Sequence, residues 1–217
     1  MSSIWTIVVG AGSGSRFGGY KQLATIGSAR VIDLTLKIAT QVSAGVTLVL
    51  PDELCPMFSG CGASVVKGGA TRSESVRLGF ESIPATVDFV LVHDAARPLA
   101  SFSLYQRVIS RLLAGSTAVI PVVPIVDSLA HINEIGGLNS LSREGIVAVQ
   151  TPQGFTRECL FAIVQAQLET TDEGSAAERL GAVVDSVEGD YSNMKITTKS
   201  DLMIARALLH ELFSYEN

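Results

Sequence analysis

Two cations, Arg16 and Lys21, stand inside the glycine-rich stretch Gly10-Ala-Gly-Ser-Gly-Ser-Arg16-Phe-Gly-Gly-Tyr-Lys21. Gly10, Gly12 and Gly14 let the backbone approach a ligand closely and offer N–H groups to anionic oxygens. Cations beside such a cradle can neutralise charge that develops during reaction. The combination suits a nucleoside triphosphate undergoing phosphoryl or nucleotidyl transfer. Two familiar phosphate loops do not fit. No Gly-x4-Gly-Lys-Ser/Thr string is present. A dinucleotide fingerprint needs a third glycine where Ser15 stands, and the next acid, Asp33, falls within a helical pattern. On the glycines alone, a tight strand-to-helix turn is the plain alternative.

Three further segments carry candidate chemistry. Val92-His-Asp-Ala-Ala-Arg-Pro98 follows a buried apolar run. Asp94 then emerges where a carboxylate can hold Mg²⁺ or orient a hydroxyl, and Arg97 can clamp a phosphate. His93 reads as a structural residue filling a niche at the sheet edge. In Gly68-Gly-Ala-Thr-Arg-Ser-Glu-Ser75 the backbone of Gly69 and the hydroxyl of Ser75 can read the edge of a base, while Arg72 suits either a salt bridge or a triphosphate contact. Lys195 stands alone in Asn193-Met-Lys-Ile-Thr197; Ser128 and Arg143 are equally weak signals taken singly. Asp172 and Glu173 look like charges at a helix N-terminus rather than catalytic carboxylates.

The elements that must position these residues alternate. Apolar runs predict strands at Ile4–Val9, Val46–Leu50, Ser64–Val66, Phe89–Val92, Ala118–Val123, Val147–Val149, Ala182–Val187 and Met194–Thr197. Helical spacing covers Arg30–Ser43, Arg72–Ser82, Ser103–Ala114, Arg157–Leu168, Gly174–Leu180 and Asp201–Phe213. Thr71 with Glu74 matches a capping box, and Gly181 is placed to stop a helix. This rhythm predicts an α/β layered domain with a mostly parallel sheet and ligands at the carboxyl ends of its strands. Residues 124–145 break the rhythm. Gly136-Gly137 between semi-alternating segments reads as a projecting hairpin, an arm that packs on a second subunit.

The chain has 217 residues, 47% of them hydrophobic and 17% charged, as expected of one domain with a sizeable core. Its net charge of −5, without a Lys/Arg-rich run, argues against nucleic-acid binding. Cys55, Cys61 and Cys159 make neither a disulfide framework nor a zinc site, which points to a reducing cytoplasm. The N-terminal apolar run is too short for a signal or membrane helix. Cys159 reads as a small core hydrophobe.

Taken in order, these motifs resemble the 2-C-methyl-D-erythritol 4-phosphate cytidylyltransferase family. The likeness covers nearly the whole chain: the loop with Arg16 and Lys21-Gln22, Gly68-Gly-x-x-Arg-x-x-Ser75, His93-Asp-Ala-Ala-Arg-Pro98, Asp127-Ser128, Arg143, Thr151-Pro-Gln153, Thr171-Asp-Glu and Asn193-x-Lys195-Ile-Thr197. The resemblance implies one domain over residues 1–217 with a Rossmann-like nucleotidyltransferase fold: a mostly parallel sheet, flanking helices and a projecting β-arm at about 124–145 that forms a homodimer. It implies CTP over the Gly-rich loop (Gly10, Ala11, Gly12, Gly14), with the cytosine read by Gly10, Ala11, Gly69 and Ser75. Arg16 and Lys21 would stabilise the transition state. Arg143 from the partner's arm and Lys195 would position methylerythritol phosphate, helped by Ser128 and Arg97. Asp94 would lie near Mg²⁺ and the sugar hydroxyls, the ion being held mainly by CTP phosphates.

The chain departs from the family at several points. Val9-Gly-Ala-Gly12 stands for Pro-Ala-Ala-Gly, the Arg16-to-Lys21 spacing is short, Tyr20 replaces a proline, Ala70 an acid and Ser128 a threonine. Cytidylyltransferases for other polyol phosphates, such as ribitol 5-phosphate, share a segment like Tyr191–Thr197. They tend to carry Asp-Ser-Val-Arg where this chain has Asp94-Ala-Ala-Arg97, which favours methylerythritol phosphate. An NAD(P)-dependent oxidoreductase is the distant alternative raised by the glycines, and a non-catalytic nucleotide-binding regulator is another.

Overall fold

The computed structural model describes residues 2–168 and 170–214, without the side chains of 210–214. Its strands are β1 (Ile4–Val9), β2 (Thr25–Ile26), β3 (Ala29–Arg30), β4 (Gly45–Leu50), β5 (Ser64–Lys67), β6 (Phe89–Asp94), β7 (Ala118–Pro124), β8 (Leu129–Ile132), β9 (Leu138–Leu141), β10 (Val147–Val149), β11 (Gln153–Thr156) and β12 (Val184–Glu188). The α-helices are α1 (Val31–Val42), α2 (Arg72–Glu81), α3 (Phe102–Leu113), α4 (Arg157–Ala166), α5 (Glu173–Arg179) and α6 (Lys199–Ser214). No described helix is long and apolar enough to cross a membrane.

Eight strands form one sheet in the order β10-β7-β11-β6-β1-β4-β5, with β12 also pairing with β7. The pairings β6–β1, β1–β4, β4–β5 and β7–β12 are parallel, whereas β10 and β11 run antiparallel to their neighbours. Successive residues of a strand serve opposite layers. In β1, Ile7 packs under α2 with Val76 and Phe80, and Val8 under α1 with Ile32 and Leu36. In β6, Val90 and Val92 face the first layer while Leu91 meets Leu104 and Val108 of α3. Such double cover explains the unbroken apolar runs; each fully buried Val, Leu or Ile stabilises the fold by about 1.5–3 kcal/mol. Cys159 packs in the first layer. α6 closes over the β2–β3 hairpin through Ile26, Ile196, Leu202 and Ala205.

Thr71 caps α2 by accepting from the Glu74 N–H at 3.1 Å. The Glu74 carboxylate reaches Ala70 N–H rather than completing the box on Thr71. Gly181, at φ +81°, ends α5 as expected. Two strand expectations need correction. Met194–Thr197 is not a strand: it crosses the carboxyl ends of the sheet without regular structure, held by Ile196 N–H to Ala96 O at 2.8 Å. Conversely, β11 is a strand where none was expected, inserted between β6 and β7.

The hairpin expected within 124–145 is present. β8 and β9 pair only with each other, from Leu129↔Leu141 to Ile132↔Leu138. Asn133 Oδ1 closes its turn by accepting from the N–H groups of Ile135 and Gly137. Ile132, Ile135, Leu138 and Leu141 are all exposed on it.

Candidate active site

Because β1, β4, β5 and β6 are mutually parallel, the segments leaving their carboxyl ends gather at one edge of the sheet. They enclose a cavity of about 180 Å³ lined by Gly10, Ala11, Gly12, Lys21, Gly69, Arg72, Ser75, Asp94 and Lys195, among others. The in-register pair Val9↔Asp94 sets the glycine loop beside the carboxylate. Gly68 makes the closest approach between loops, since a Cβ there would stand 2.3 Å from Ala11 Cβ.

The glycine loop is fixed by its own backbone. The Gly14 carbonyl accepts from Phe17, Gly18 and Gly19 N–H groups at 2.9–3.3 Å. Gly14 has φ +66°, and any Cβ there would meet Gly19 O at 2.0 Å, so only glycine fits. Gln22, 2% exposed, donates to Gly10 O at 2.9 Å and ties the end of the loop to its beginning. The Tyr20 hydroxyl donates to Glu53, anchoring the residue just before Lys21.

Asp94 is the one acidic residue among those lining the cavity and the hub of its charges. Lys195 Nζ lies 2.7 Å from its Oδ2, Arg72 Nε 3.4 Å from Oδ1 and Arg97 Nε 3.7 Å from Oδ2. Burial alone would push this carboxyl up. Arg72, Lys195 and Arg97 outweigh it and hold the group well below the usual carboxylate range. Lys21 shows the opposite balance: burial lowers its ammonium, and Lys195 and Arg16 lower it further against the pull of Asp94. Cations thus outnumber anions around the cavity, the balance that an anionic ligand requires.

Arg72 reaches away from the cavity to Glu173, which takes Nη1 on both oxygens at 2.5 and 2.7 Å. Glu173, expected to be a helix-end charge, is 3% exposed and belongs to this network; Asp172 alone caps α5, accepting from Ser175 N–H. Glu173, expected only as a helix-end charge, and Gln153 both stand just outside the cavity lining and brace it. Gln153 accepts from Gly174 N–H at 3.0 Å and so ties α5 to β11. Polar residues amid apolar or tightly turning segments were the available signal.

The sequence-predicted residues divide into those that meet at the cavity and those that do not. Gly10, Ala11, Gly12, Gly69, Ser75, Lys21, Asp94 and Lys195 line it. The Ser75 hydroxyl accepts from Gly69 N–H and donates to Thr71 O, so it also stitches the turn to α2. Gly14 shapes the loop without lining the cavity, and Arg16 is exposed on the loop's turn. Arg97 does not line the cavity. Its guanidinium donates to Asn193 O at 2.7 Å and Val149 O at 3.4 Å, which makes it a brace for the chain leading to Lys195. Ser128 and Arg143 lie on the exposed arm segment outside the cavity lining, where Arg143 donates to Val126 O.

His93 is buried in the centre of the sheet, not at its edge. Nδ1 meets Thr151 Oγ1 at 2.9 Å and Nε2 meets Arg97 O at 3.2 Å. Burial pushes it down to about 4, with Arg97 adding and Asp94 opposing. A neutral imidazole with both nitrogens engaged is a strut rather than a proton carrier.

A divalent ion has few protein ligands here. Among the described residues no group of three or more His, Cys, Asp or Glu could hold one. Asp94 fits a site in which Mg²⁺ takes one carboxylate and finds its remaining oxygens on substrate phosphates.

The comparisons with known proteins agree with this geometry. The family model for 2-C-methyl-D-erythritol 4-phosphate cytidylyltransferase (IspD) matches residues 4–211. An enzyme of that description from Rhodococcus jostii (strain RHA1) is 38% identical over 215 residues, covering 94% of each chain. The solved 2-C-methyl-D-erythritol 4-phosphate cytidylyltransferase of Thermus thermophilus superposes with a TM-score of 0.81 at 33% identity, over 94% of this chain and 98% of that one. The 4-diphosphocytidyl-2C-methyl-D-erythritol synthase of Anaerococcus prevotii DSM 20548 gives 0.84 at 27% identity, over 96% of both. On sequence and on fold alike, the chain belongs to the 2-C-methyl-D-erythritol 4-phosphate cytidylyltransferase family.

Proposed function

We propose that this chain transfers a cytidylyl group from CTP to 2-C-methyl-D-erythritol 4-phosphate, giving 4-diphosphocytidyl-2-C-methyl-D-erythritol and pyrophosphate for isoprenoid precursor synthesis. The observation that carries the reading is the cavity in which the backbone of 10–12 and 69–70 meets Lys21, Lys195 and Asp94, in a chain matched to the family over residues 4–211.

The chemistry follows from charge. A phosphate oxygen of the sugar phosphate attacks the α-phosphorus of CTP in line; the new P–O bond forms as the bond to the pyrophosphate oxygen breaks. The attacking oxygen is already ionised near neutral pH, so no general base is needed, and His93 takes no part. Lys21, with Arg16 as the loop folds over the nucleotide, balances charge on the phosphates as phosphorus becomes five-coordinate. Backbone amides of Gly10, Ala11 and Gly12 cradle the nucleotide, while Gly69 and Ser75 face the base. Lys195, steered by Asp94, receives the sugar phosphate, and Arg97 braces the segment that carries it. Mg²⁺ would be held by CTP phosphates and Asp94, and supplies further neutralisation of the triphosphate when bound.

The arm completes the site in a homodimer. Its exposed apolar face suits a second copy, whose Arg143 and Ser128 would then reach the sugar phosphate of the first. The three free cysteines suit a cytoplasmic setting.

The test is pyrophosphate release with CTP and methylerythritol phosphate, run beside ribitol 5-phosphate, with Mg²⁺ present and absent. Activity with ribitol 5-phosphate alone would overturn the assignment. Lys21→Ala should lower kcat by about 10²–10³, the usual cost of one transition-state donor, in a burst-free steady-state assay.

A further inference from the structure

Arg72 lies within reach of two carboxylates and bonds closely to only one of them. Its Nη1 reaches both oxygens of Glu173, at 2.5 and 2.7 Å, while its Nε stands 3.4 Å from Asp94, whereas Lys195 holds Asp94 at 2.7 Å. Asp94 therefore keeps its short contact for Lys195. We infer that Glu173 is a positioning residue for the transfer: it holds Arg72 off Asp94, so that Asp94 remains free to orient Lys195 toward the sugar phosphate.

The alternatives open to Arg72 are few. A guanidinium keeps its charge under all working conditions, and this one is three-quarters covered, with a side-chain exposure of 24%. If Glu173 were neutral, the nearest remaining anion is Asp94. A bidentate fork there would outcompete the single ammonium of Lys195, which is 39% exposed and can swing to water. Arg97 already faces Asp94 through Nε at 3.7 Å, while its Nη groups are held on Asn193 O and Val149 O.

Glu173 is well built for such a task. It is absent from the cavity lining, so it acts through Arg72. It opens α5 behind the Asp172 cap, and Gly174 N–H is pinned to Gln153 Oε1 at 3.0 Å. Behind it, Ala176 and Ala177 are buried in the core, and a Cβ at Gly174 would already stand 2.9 Å from Ile120. The carboxylate thus rides on a turn that does not give. With Nη1 held in this way, Arg72 Nη2 is left buried without a hydrogen-bond partner.

The inference rests on Lys195 serving the sugar phosphate, and its test separates the two claims. Steady-state kinetics of Glu173→Gln, with each substrate varied in turn, should show KM for methylerythritol phosphate raised about tenfold or more, the weight of one charge-assisted hydrogen bond, and KM for CTP within about twofold. Glu173→Asp, which keeps the charge, should recover much of the loss. Arg72→Lys, one bond too short to place a nitrogen where Nη1 stands, should reproduce the Gln signature even if Glu173→Gln fails to fold. A fall in kcat with both KM values unchanged, or wild-type kinetics, would overturn the inference. Lys195→Ala is run in parallel. If it raises the sugar-phosphate KM while Glu173→Gln and Arg72→Lys do not, only the role of Glu173 fails; if it leaves that KM unmoved, the role of Lys195 fails and this one with it.

Discussion

Lys21 is a less basic ammonium than an ordinary lysine. Burial lowers its ammonium first, and Lys195 and Arg16 lower it further. In the free enzyme the alkaline limb of kcat/KM should therefore fall below the ordinary lysine range near 10.4. A bound triphosphate restores the charge, so the limb of kcat should lie at higher pH. Rates measured between about pH 7 and 10 would show that separation, and Lys21→Arg should abolish both limbs because a guanidinium does not titrate there. His93 gives the opposite pH dependence, and in stability. Its folded value is pushed down to about 4 by burial, while the unfolded chain takes up the proton near 6.5. Stability is thus complete above about pH 6.5 and is lost as the pH falls toward 4, on the order of 3 kcal/mol in all. Urea unfolding across that range should show the slope, and His93→Gln should flatten it.

At the scale of elements, the site depends on how closely two loops approach. A methyl at Gly68 would meet Ala11 Cβ at 2.3 Å and Ser75 Oγ at 3.0 Å. Gly68→Ala should force the loops apart, costing about 1–3 kcal/mol of stability and raising KM for CTP more than KM for the sugar phosphate, as thermal melts and kinetics would record. Elements whose causes are local were legible in the sequence. β1 carries its own apolar run, and α2 its Thr71 cap. β11 was not, because Gln153 and Gly154 have poor strand propensity and Pro152 precedes them. What makes that stretch a strand is distant: β6 on one side and β7 on the other. Met194–Thr197 shows the converse, a strand-like pattern that pairs with no strand and is held instead by the Ile196 N–H on Ala96 O. The site followed the same rule. Asp94, Lys21 and Lys195 announced themselves by motif, but Glu173 looked like a helix charge because its partner Arg72 is 101 residues away.

At the scale of the whole molecule, the arm presents apolar side chains that the described residues of the chain do not cover. Ile135 is 92% exposed and Leu138 72%, on a hairpin that pairs with no third strand among the described residues. Two strands alone are marginal in water, which favours a copy of the chain as support. Leu138→Glu should shift the protein toward monomer in light scattering. If the partner's Arg143 and Ser128 enter the site, kcat/KM should fall in step at low protein concentration, while KM for CTP changes little.

The position of β11 also bears on how the protein is made. A ribosome delivers β6 and β7 long before the strand that joins them. Until residues 153–156 emerge, the nascent chain carries an open seam through the middle of its future sheet, with the backbone of Phe89–Val92 unpaired on that flank. Stalled or truncated translation products ending before Gln153 would keep that seam, a ready template for stray strands.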